Sequence, residues 1–415
     1  MRIWIVNYYA EPPENDTNHR YFEFTKHFKE KGWEVVTFNA SFLDNAVSRE
    51  FKERQIFLHK QYDGHDFVHI KSPRYKGNGL GRMKSIFTFA WRLLRHRNEF
   101  ERPDVILHNV HAPFDFPIVL AAKKLKSKYI SEVWDLWPDN FVNFGLVSRH
   151  NPIMPLFYAI EKWIYYHADQ LVFTIPGAIN YLKDKGWTTT TGGRIIEQDV
   201  HYINNGVNLG YFDHNVTLFP RKDADINEEG IYKIIYMGTI SFANHVKMLI
   251  DTAAILQSNP KYQFYIYGDG AQREELEHYV QDNSICNVHF KEKRIPLYEV
   301  AWIVSQSTVN VMTYEKGFGY MGVSSGKMFQ YLAAGKPIVC NINIAYDNVI
   351  RDNNLGVAKD IDSPAELASI FQSLAELPKD EYDAMCERVR IVAKRFDYSV
   401  LAEEEIKVIE AALRR

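Results

Sequence analysis

One stretch of the chain combines hydroxyl, glycine and lysine residues at a spacing that suits anion binding. Ser324, Ser325 and Gly326 precede Lys327, and a helical pattern then runs to a Gly-Lys-Pro turn and a buried strand. A helix that begins in this way leaves backbone N–H groups free at its N-terminus, where the dipole favours an anion and Lys327 adds a positive charge. Gln330, one turn later, can hydrogen-bond a neutral polyol such as ribose. The stretch predicts a cradle for a nucleoside diphosphate, although an ordinary capped helix that ends at a glycine has the same pattern.

The composition limits the class of protein. The chain has 415 residues, which suggests two domains of about 200 residues each. Its hydrophobic content of 46% is that of a globular protein, and its net charge of −3 argues against general nucleic-acid binding. Apolar runs are too short to span a membrane, no secretion signal is apparent, and three cysteines are too few for a disulfide framework. We therefore expect a cytoplasmic protein.

Strand-like and helix-like segments alternate along the chain. Strands are predicted at 2–7, 34–39, 104–107, 128–133 and 170–174, and again at 233–236, 263–267, 288–290, 309–312 and 337–340. This alternation predicts an α/β fold with two Rossmann-like, doubly wound parallel sheets. The turn-rich segment 204–208 divides the chain into predicted domains at 1–203 and 204–397, followed by an amphipathic helix in 398–415. We expect the ligand at the carboxyl ends of the strands, in the cleft between the domains.

Several short motifs carry a family resemblance that covers essentially the whole chain. They are Asp-Leu-Trp-Pro-Asp at 135–139, Asn-Asn-Gly at 204–206, Gly-Asp-Gly at 268–270 and Tyr-Glu-Lys-Gly at 314–317. In this order and at these distances the set resembles glycosyltransferase family 4, the retaining, nucleotide-sugar-dependent enzymes with the GT-B fold. The motif at 135–139 is especially similar to the branch that builds bacterial surface polysaccharides, which includes N-acetyl-L-fucosamine transferases.

The resemblance implies a division of labour between the two domains. The domain at 204–397 would bind the nucleotide sugar, the domain at 1–203 would bind the acceptor, and the helix in 398–415 would pack back on the first domain. It also implies no cofactor and no metal, because a helix N-terminus and basic side chains neutralise the leaving diphosphate. The sequence agrees, since it has no cluster of carboxylates or histidines at metal-ligand spacing.

The resemblance also assigns residues to the diphosphate. Gly238 would let the backbone approach it, as glycine does in this family, whereas a structural glycine at a strand end is the alternative. Thr239 and Asn244 stand where relatives carry Arg and Lys, so two positive charges are missing. The run at 325–327 and Arg294 must then supply more of the phosphate stabilisation.

Three further residues correspond to positions near the reacting atoms in the family, and a fourth is a candidate because of its place after a strand. Glu315 would contact the donor sugar and Gln330 the ribose, although the two lie fifteen positions apart and the second is an amide rather than an acid. His111 would face the donor sugar from the acceptor domain. Asp135, just beyond the predicted strand 128–133, could orient or deprotonate the acceptor hydroxyl. The structural alternatives are a loop acid, a core histidine and a helix cap.

The loop after the first strand departs from the family. Many relatives have Gly-Gly there, but the segment 11–20 contains no glycine. We expect His19 and Arg20 to contact the acceptor instead.

A basic segment in the first half suggests a membrane-surface helix. Residues 71–98 contain eight Lys or Arg and no acid. A helix over 82–97 would carry an apolar stripe made of Met83, Ile86, Phe87, Ala90, Leu93 and Leu94. Such a helix could lie on an anionic bilayer, or it could pack in the core with a solvated basic back.

The sequence thus predicts a retaining glycosyltransferase that moves a sugar, preferably from a UDP-linked N-acetylated donor, to a hydroxyl of a lipid-linked saccharide in surface-polysaccharide assembly. We expect association with the inner face of the cell membrane and no nucleic-acid partner. Two alternatives stay open. One is a GT-B nucleotide-sugar 2-epimerase. The other is a non-catalytic, nucleotide-sugar-binding partner of another transferase, which Thr239, Asn244 and Gln330 would favour.

Overall fold

The computed structural model describes residues 1–12, 19–42, 49, 51–77, 79–111, 113–143, 147–317 and 320–414. The chain forms two compact units, Met1–Asn204 with Tyr398–Arg415, and Asn205–Asp397. It therefore passes from one unit to the other twice, at 204–205 and at 397–398. Each unit is a mostly parallel sheet with helices, so the predicted α/β, doubly wound fold class is confirmed.

The first unit contains a sheet of eight strands among the described residues, in the order β3-β4-β2-β1-β5-β6-β7-β8. In β1, Ile3, Trp4, Ile5 and Val6 are all buried, because helices cover both faces of a parallel sheet. Its elements up to the first crossing are β1 Arg2–Val6, α1 Arg20–Glu30, β2 Glu34–Ala40, β3 Phe57–Tyr62, β4 His65–Ile70, α2 Leu80–His96, β5 Val105–Asn109, α3 Pro117–Leu125, β6 Lys128–Val133, α4 Asp139–Asn143, α5 Met154–Tyr165, β7 Gln170–Phe173, α6 Ala178–Asp184 and β8 Val200–Tyr202.

The second unit contains a six-stranded parallel sheet within its described part, in the order β11-β10-β9-β12-β13-β14. Its elements are α7 Leu209–Leu218, α8 Ala224–Asn227, β9 Tyr232–Met237, α9 Val246–Leu256, β10 Tyr262–Tyr267, α10 Arg273–Asp282, β11 Val288–Phe290, α11 Leu297–Ser305, β12 Val309–Met312, α12 Gly326–Ala334, β13 Ile338–Cys340, α13 Val349–Asp352, β14 Gly356–Ala358, α14 Pro364–Ala375 and α15 Lys379–Ala393. The last helix, α16 (Tyr398–Leu413), belongs to the first unit again.

Strands β3 and β4 form a hairpin that was not predicted from the sequence. It is the one antiparallel pair in the described sheets. Asp63 and Gly64 connect the two strands with positive φ values of 47° and 75°. Positive φ at both central residues is the geometry of a type I′ turn, for which Asp-Gly is a strong sequence signal. The signal was therefore present in the sequence.

A buried charge cluster joins α16 to the rest of the first unit. The Arg20 guanidinium lies 2.6 Å from Glu132 and 3.8 Å from Glu405, and all three side chains are fully buried. Arg20 also donates hydrogen bonds to the backbone carbonyls of Ile203 and Asn204, the last residues before the first crossing. One guanidinium thus connects α1, β6, α16 and the 203–204 segment.

This environment corrects the expectation that Arg20 contacts an acceptor. Its side chain is fully enclosed in the core of the first unit and its donors already bond Glu132 and two carbonyls. A long cationic side chain can be buried only with such compensation. His19, the residue before α1, is half-buried with its ring near Phe22. Residues 13–18 of the glycine-free loop lie outside the described residues.

The structure also corrects the assignment of the apolar stripe on α2 to a membrane face. Ile86, Ala90, Leu93 and Leu94 are buried, and α2 packs against α3. The helical period of an apolar stripe is the same whether it faces a core or a bilayer, so the sequence could not separate the two. A different face of α2 is open to solvent.

The Glu405 carboxyl provides a test of the buried cluster. Burial and the neighbouring Glu132 raise the pKa of Glu405 to about 8, and neither of its oxygens has a hydrogen-bond partner. Because the pKa is raised in the folded state, folded Glu405 keeps its proton at pH values where the unfolded chain has already released it. The free energy of unfolding therefore falls as the pH rises from the ordinary pKa of a glutamate toward 8. Glu405→Gln should therefore gain about 2–3 kcal/mol in unfolding free energy relative to the parent between about pH 5.5 and about pH 8.5.

Urea denaturation of both proteins at the two pH values measures this difference. Glu403→Gln, at an exposed position of the same helix, is the matched control and should track the parent at both. An E405Q variant whose stability relative to the parent does not change with pH would contradict a protonated Glu405.

Candidate functional site

A half-buried cation lies at the carboxyl-end edge of the second sheet. Lys327, in the first turn of α12, donates from Nζ to Asn244 Oδ1 at 3.0 Å and to the Tyr236 hydroxyl at 3.3 Å. The rings of Tyr236 and Tyr314 lie 4.7 and 5.1 Å from the ammonium. No carboxylate of the described residues forms an ion pair with Lys327. Burial therefore lowers the pKa of Lys327 to about 8.

Gly238 makes room for this ammonium. A Cβ at position 238 would lie 3.2 Å from Lys327 Cε and 3.3 Å from Nζ, and φ is 155°. The turn at 268–270 packs directly beneath, because a Cβ on Gly268 would lie 2.0 Å from the Gly238 carbonyl oxygen. The two glycine turns after β9 and β10 thus interlock and leave the backbone at Gly238 next to the cation.

Two loops meet beside Lys327 and carry the remaining polar groups. The Thr313 hydroxyl donates to the Asn244 carbonyl at 2.6 Å, and the Glu315 N–H donates to the Ala243 carbonyl at 3.0 Å. His245 Nδ1 lies 2.5 Å from Glu315 Oε1. Glu315 and Asn244, which lie about seventy positions apart in the sequence, are thus brought together.

The other predicted donor-site residues differ in how closely they join this group. Ser325 is the N-cap residue of α12 and lies beside Tyr314, while Ser324 accepts a hydrogen bond from Asn205 at 2.9 Å. Gln330 is half-buried on α12, one turn after Gly326. The Thr239 side chain is exposed, but its carbonyl accepts from Tyr236.

Arg294 is not part of this arrangement. It is exposed and follows β11, two strands from β9 in the sheet, which corresponds to about 10 Å. None of the contacts that join the other residues involves it. Its proposed contribution to the phosphate site has no support from the geometry.

The first unit carries a second group of polar residues at the carboxyl ends of β1, β5 and β6. Asp135 is open to solvent and accepts a hydrogen bond from Asn140 at 3.2 Å. His111 and Arg82 lie close enough for their charges to act on the Asp135 carboxylate. Arg82 stacks on Tyr9 at 5.0 Å, and Tyr9 in turn contacts His111 with ring centroids 4.8 Å apart. The predicted pair His111 and Asp135 thus shares one environment.

Asp115 fixes the orientation of the His111 segment. It accepts the His111 backbone N–H and lies 3.2 Å from His108 Nε2 and 3.6 Å from His111 Nδ1. Burial opposes ionisation, but the two histidines hold the pKa of Asp115 below its ordinary range. His108, almost fully buried and bonded to the Tyr129 hydroxyl at 2.7 Å, is the structural histidine of the two.

Sequence reasoning missed three residues of these groups, namely Tyr9, Arg82 and His245. Tyr9 follows β1 at the edge where such folds bind ligands, so its position was a usable signal. Arg82 was counted only as part of a basic helix. His245 follows Asn244, but nothing in the sequence indicated it, because the family resemblance predicts Arg and Lys in this segment.

The described residues contain no group of three or more His, Cys, Asp or Glu side chains that could hold a metal ion.

Two family models match the chain. Residues 18–211 match the one described as Glycosyltransferase Family 4, and residues 231–376 match the one described as Glycosyl transferases group 1. The probable glycosyltransferase WbjE of Pseudomonas aeruginosa is 24% identical over 325 residues, which is 75% of each chain. Together these findings support a glycosyltransferase.

Solved structures agree on the fold. The UDP-forming α,α-trehalose-phosphate synthase of Burkholderia vietnamiensis superimposes with a TM-score of 0.70 at 12% identity, over 99% of this chain and 98% of that one. HepE of Anabaena, in complex with UDP and glucose, gives 0.66 at 13% identity over 99% of both chains. At these identities the likeness establishes the GT-B fold.

The Lys327 environment predicts pH-dependent anion binding. Its ammonium is charged below about pH 8, so affinity for a nucleoside diphosphate such as UDP should fall as the pH rises from about 7 to about 9, a range in which the phosphates are already ionised. Lys327→Arg should remove most of this pH dependence, because a guanidinium stays charged. Lys327→Met should bind roughly ten- to a hundredfold more weakly than the parent at about pH 7, and the difference should narrow toward about pH 9, where the parent also loses this charge.

Isothermal titration calorimetry at several pH values measures these affinities. Lys316→Met is the control, since Lys316 is exposed in the same part of the chain and paired with Asp362. Equal UDP affinity of the K327M variant and the parent would rule out Lys327 as the anion-binding group.

Proposed function

We propose that this GT-B glycosyltransferase is a retaining, family 4-like enzyme that transfers a sugar from a nucleoside-diphosphate sugar to a hydroxyl acceptor. The observation that carries the proposal is the Lys327 ammonium, which lies half-buried beside Gly238 at the N-terminus of α12 with no carboxylate partner among the described residues. Removing part of the water around a charge without supplying a countercharge costs free energy, and such groups are often found at functional sites. A diphosphate would supply the missing negative charge.

The proposed reaction needs no metal or cofactor. The bond from the anomeric carbon to the diphosphate oxygen breaks, the acceptor oxygen bonds to that carbon on the same face, and the departing phosphate takes the acceptor proton. Lys327 and the N–H groups at the start of α12 stabilise the charge that develops on the leaving group. Gln330 would bond the ribose, and Glu315 the transferred sugar.

UDP is the preferred nucleotide. The solved neighbours described above include a UDP-forming enzyme and a complex with UDP and glucose, which supports a UDP-sugar donor. The resemblance of the motif at 135–139 to surface-polysaccharide transferases favours an N-acetylated sugar, and a role in capsule, exopolysaccharide or O-antigen assembly.

The acceptor would bind the first unit. Asp135 is open to solvent, and His111 and Arg82 lie close enough for their charges to act on it. A carboxylate in this setting can orient or deprotonate a hydroxyl, while Arg82 suits an anionic acceptor such as a lipid-linked saccharide diphosphate.

A lipid-linked acceptor implies contact with the inner face of the cell membrane, which we assign to the solvent-facing side of α2. Leu80 is 82% exposed, Trp91 48% and Phe87 38%, and exposed Lys84 and Arg95 lie along the same helix. Aromatic residues beside cations are typical of surfaces that lie on anionic lipid. No helix in the described part of the chain is long and apolar enough to cross a membrane.

A turnover screen tests the proposed reaction. Purified protein is offered UDP-, GDP- and dTDP-sugars with and without a membrane lipid extract, and nucleoside diphosphate release is followed by mass spectrometry. We expect release that depends on the extract for one UDP-sugar. Binding of a donor without release would instead indicate a non-catalytic partner, and release of free sugar or an isomer without extract would indicate an epimerase.

Asp135→Asn should reduce the extract-dependent release by about 10²–10⁴-fold, the usual contribution of a positioned acid or base, and leave UDP affinity unchanged. Asp184→Asn, at an exposed position of the same unit, is the control and should behave as the parent does. Full activity of the D135N variant would remove Asp135 from the mechanism.

Membrane contact has its own test. The protein should cosediment with vesicles of phosphatidylglycerol and phosphatidylcholine at low salt, and less so at high salt. The double change Phe87→Ser and Trp91→Ser should weaken binding at least tenfold, since burying each side chain contributes roughly 1.5–3 kcal/mol. Ile255→Ser, exposed on α9 of the other unit, should have no effect. Absence of vesicle binding at low salt would overturn this assignment.

A further inference from the structure

His245 has a left-handed backbone at the junction of two helical elements. It follows the 3₁₀ turn at 242–244 and precedes α9, with φ 44° and ψ 40°. Helices commonly end at a residue in this region, and histidine is among the non-glycine residues that adopt it most often. A glycine would adopt it at lower cost, so this backbone does not require an imidazole. The His245 side chain makes no capping hydrogen bond to α9 and is free to make another contact.

The side chain is instead turned toward Glu315. Nδ1 lies 2.5 Å from Oε1, and the two side chains are 37% and 30% exposed. No contact within the described residues engages the second polar atom of either, His245 Nε2 or Glu315 Oε2. The pair therefore leaves one acceptor oxygen and one imidazole nitrogen available on partly exposed side chains, which suits polar substituents on a sugar ring.

The pair lies next to the cation that would hold the diphosphate. Asn244, the residue before His245, accepts a hydrogen bond from Lys327, and the ring of Tyr314, the residue before Glu315, lies 5.1 Å from its ammonium. The bonds from Thr313 to Asn244 and from Glu315 to Ala243 fix the two loops to each other. His245 and Glu315 are thus each the next residue after one that contacts Lys327.

We propose that His245 and Glu315 together recognise the transferred sugar. The imidazole holds Oε1 so that Oε2 accepts a hydrogen bond from one hydroxyl, and Nε2 bonds the neighbouring substituent. This inference rests on the proposed function, and it adds a residue that decides which sugar is accepted, separately from the nucleotide.

Two substitutions separate this role from a structural one. His245→Gly removes the imidazole and at the same time suits the left-handed backbone, so the fold should be at least as stable as that of the parent. His245→Asn also tolerates this backbone and can donate to Glu315 from near the position of Nδ1, but it lacks the second ring nitrogen. Ser284→Gly, at another exposed left-handed position of the same unit, controls for backbone relief alone.

The measurements are kcat/KM for the UDP-sugar found in the turnover screen and the Kd for UDP. H245G should lower kcat/KM at least tenfold, H245N should lower it less, and both should bind UDP within about twofold of the parent, because UDP lacks the transferred sugar that would contact the pair. S284G should match the parent in both. H245G should also discriminate less between sugars that differ only in the orientation of one hydroxyl.

Two results would overturn the proposal. One is an H245G enzyme with kcat/KM within about twofold of the parent. The other is a parallel loss of UDP affinity, which would mean that the pair supports the phosphate site instead. A parent protein that turns over no nucleotide sugar would fail at the earlier step and refute the proposed function itself, before any variant is compared.

Discussion

The arrangement of the candidate groups follows from the geometry of parallel strands. Each such strand must be followed by a crossover, so the carboxyl ends of neighbouring strands, and the loops and helix N-termini after them, collect at one edge of the sheet. In the second unit this edge holds Gly238, Glu315 and Lys327, and in the first it holds His111 and Asp135. Residues that are far apart in the chain therefore become chemical neighbours without any special device.

The two units differ in how they compensate a cation that is removed from water. Arg20 is fully buried among Glu132, Glu405 and backbone carbonyls, so its charge is compensated within the fold. Lys327 is half-buried, and the described residues place aromatic rings, a hydroxyl and an amide beside it. In the described part of the chain Lys327 forms no ion pair with a carboxylate, so its charge is less fully compensated than that of Arg20. Functional sites commonly retain this kind of local instability.

The sequence was sufficient for the fold class and for most strands, because hydrophobic periodicity and turn residues are local signals. It failed where the deciding contact was distant. Arg20 was misassigned because its partner Glu405 lies near the other end of the chain, and the stripe on α2 was misassigned because core and bilayer select the same period. For the candidate site, the motif positions led to Glu315 and Lys327. They could not reveal the contact of His245 with Glu315, because it joins two loops seventy positions apart.

The return of α16 to the first unit has a consequence for how the protein is made. A chain leaves the ribosome from its N-terminus, so the whole of Asn205–Asp397 is synthesised before α16 appears. Until then the apolar surface of α1 lacks its cover of Leu401, Ile406 and Ile409, and the 203–204 segment is held by an Arg20 that lacks one carboxylate neighbour. The second unit can therefore complete its core before α16 is made, whereas the first can do so only afterwards. A nascent chain stalled before residue 398 would therefore expose an apolar face on its N-terminal half, where a chaperone could bind.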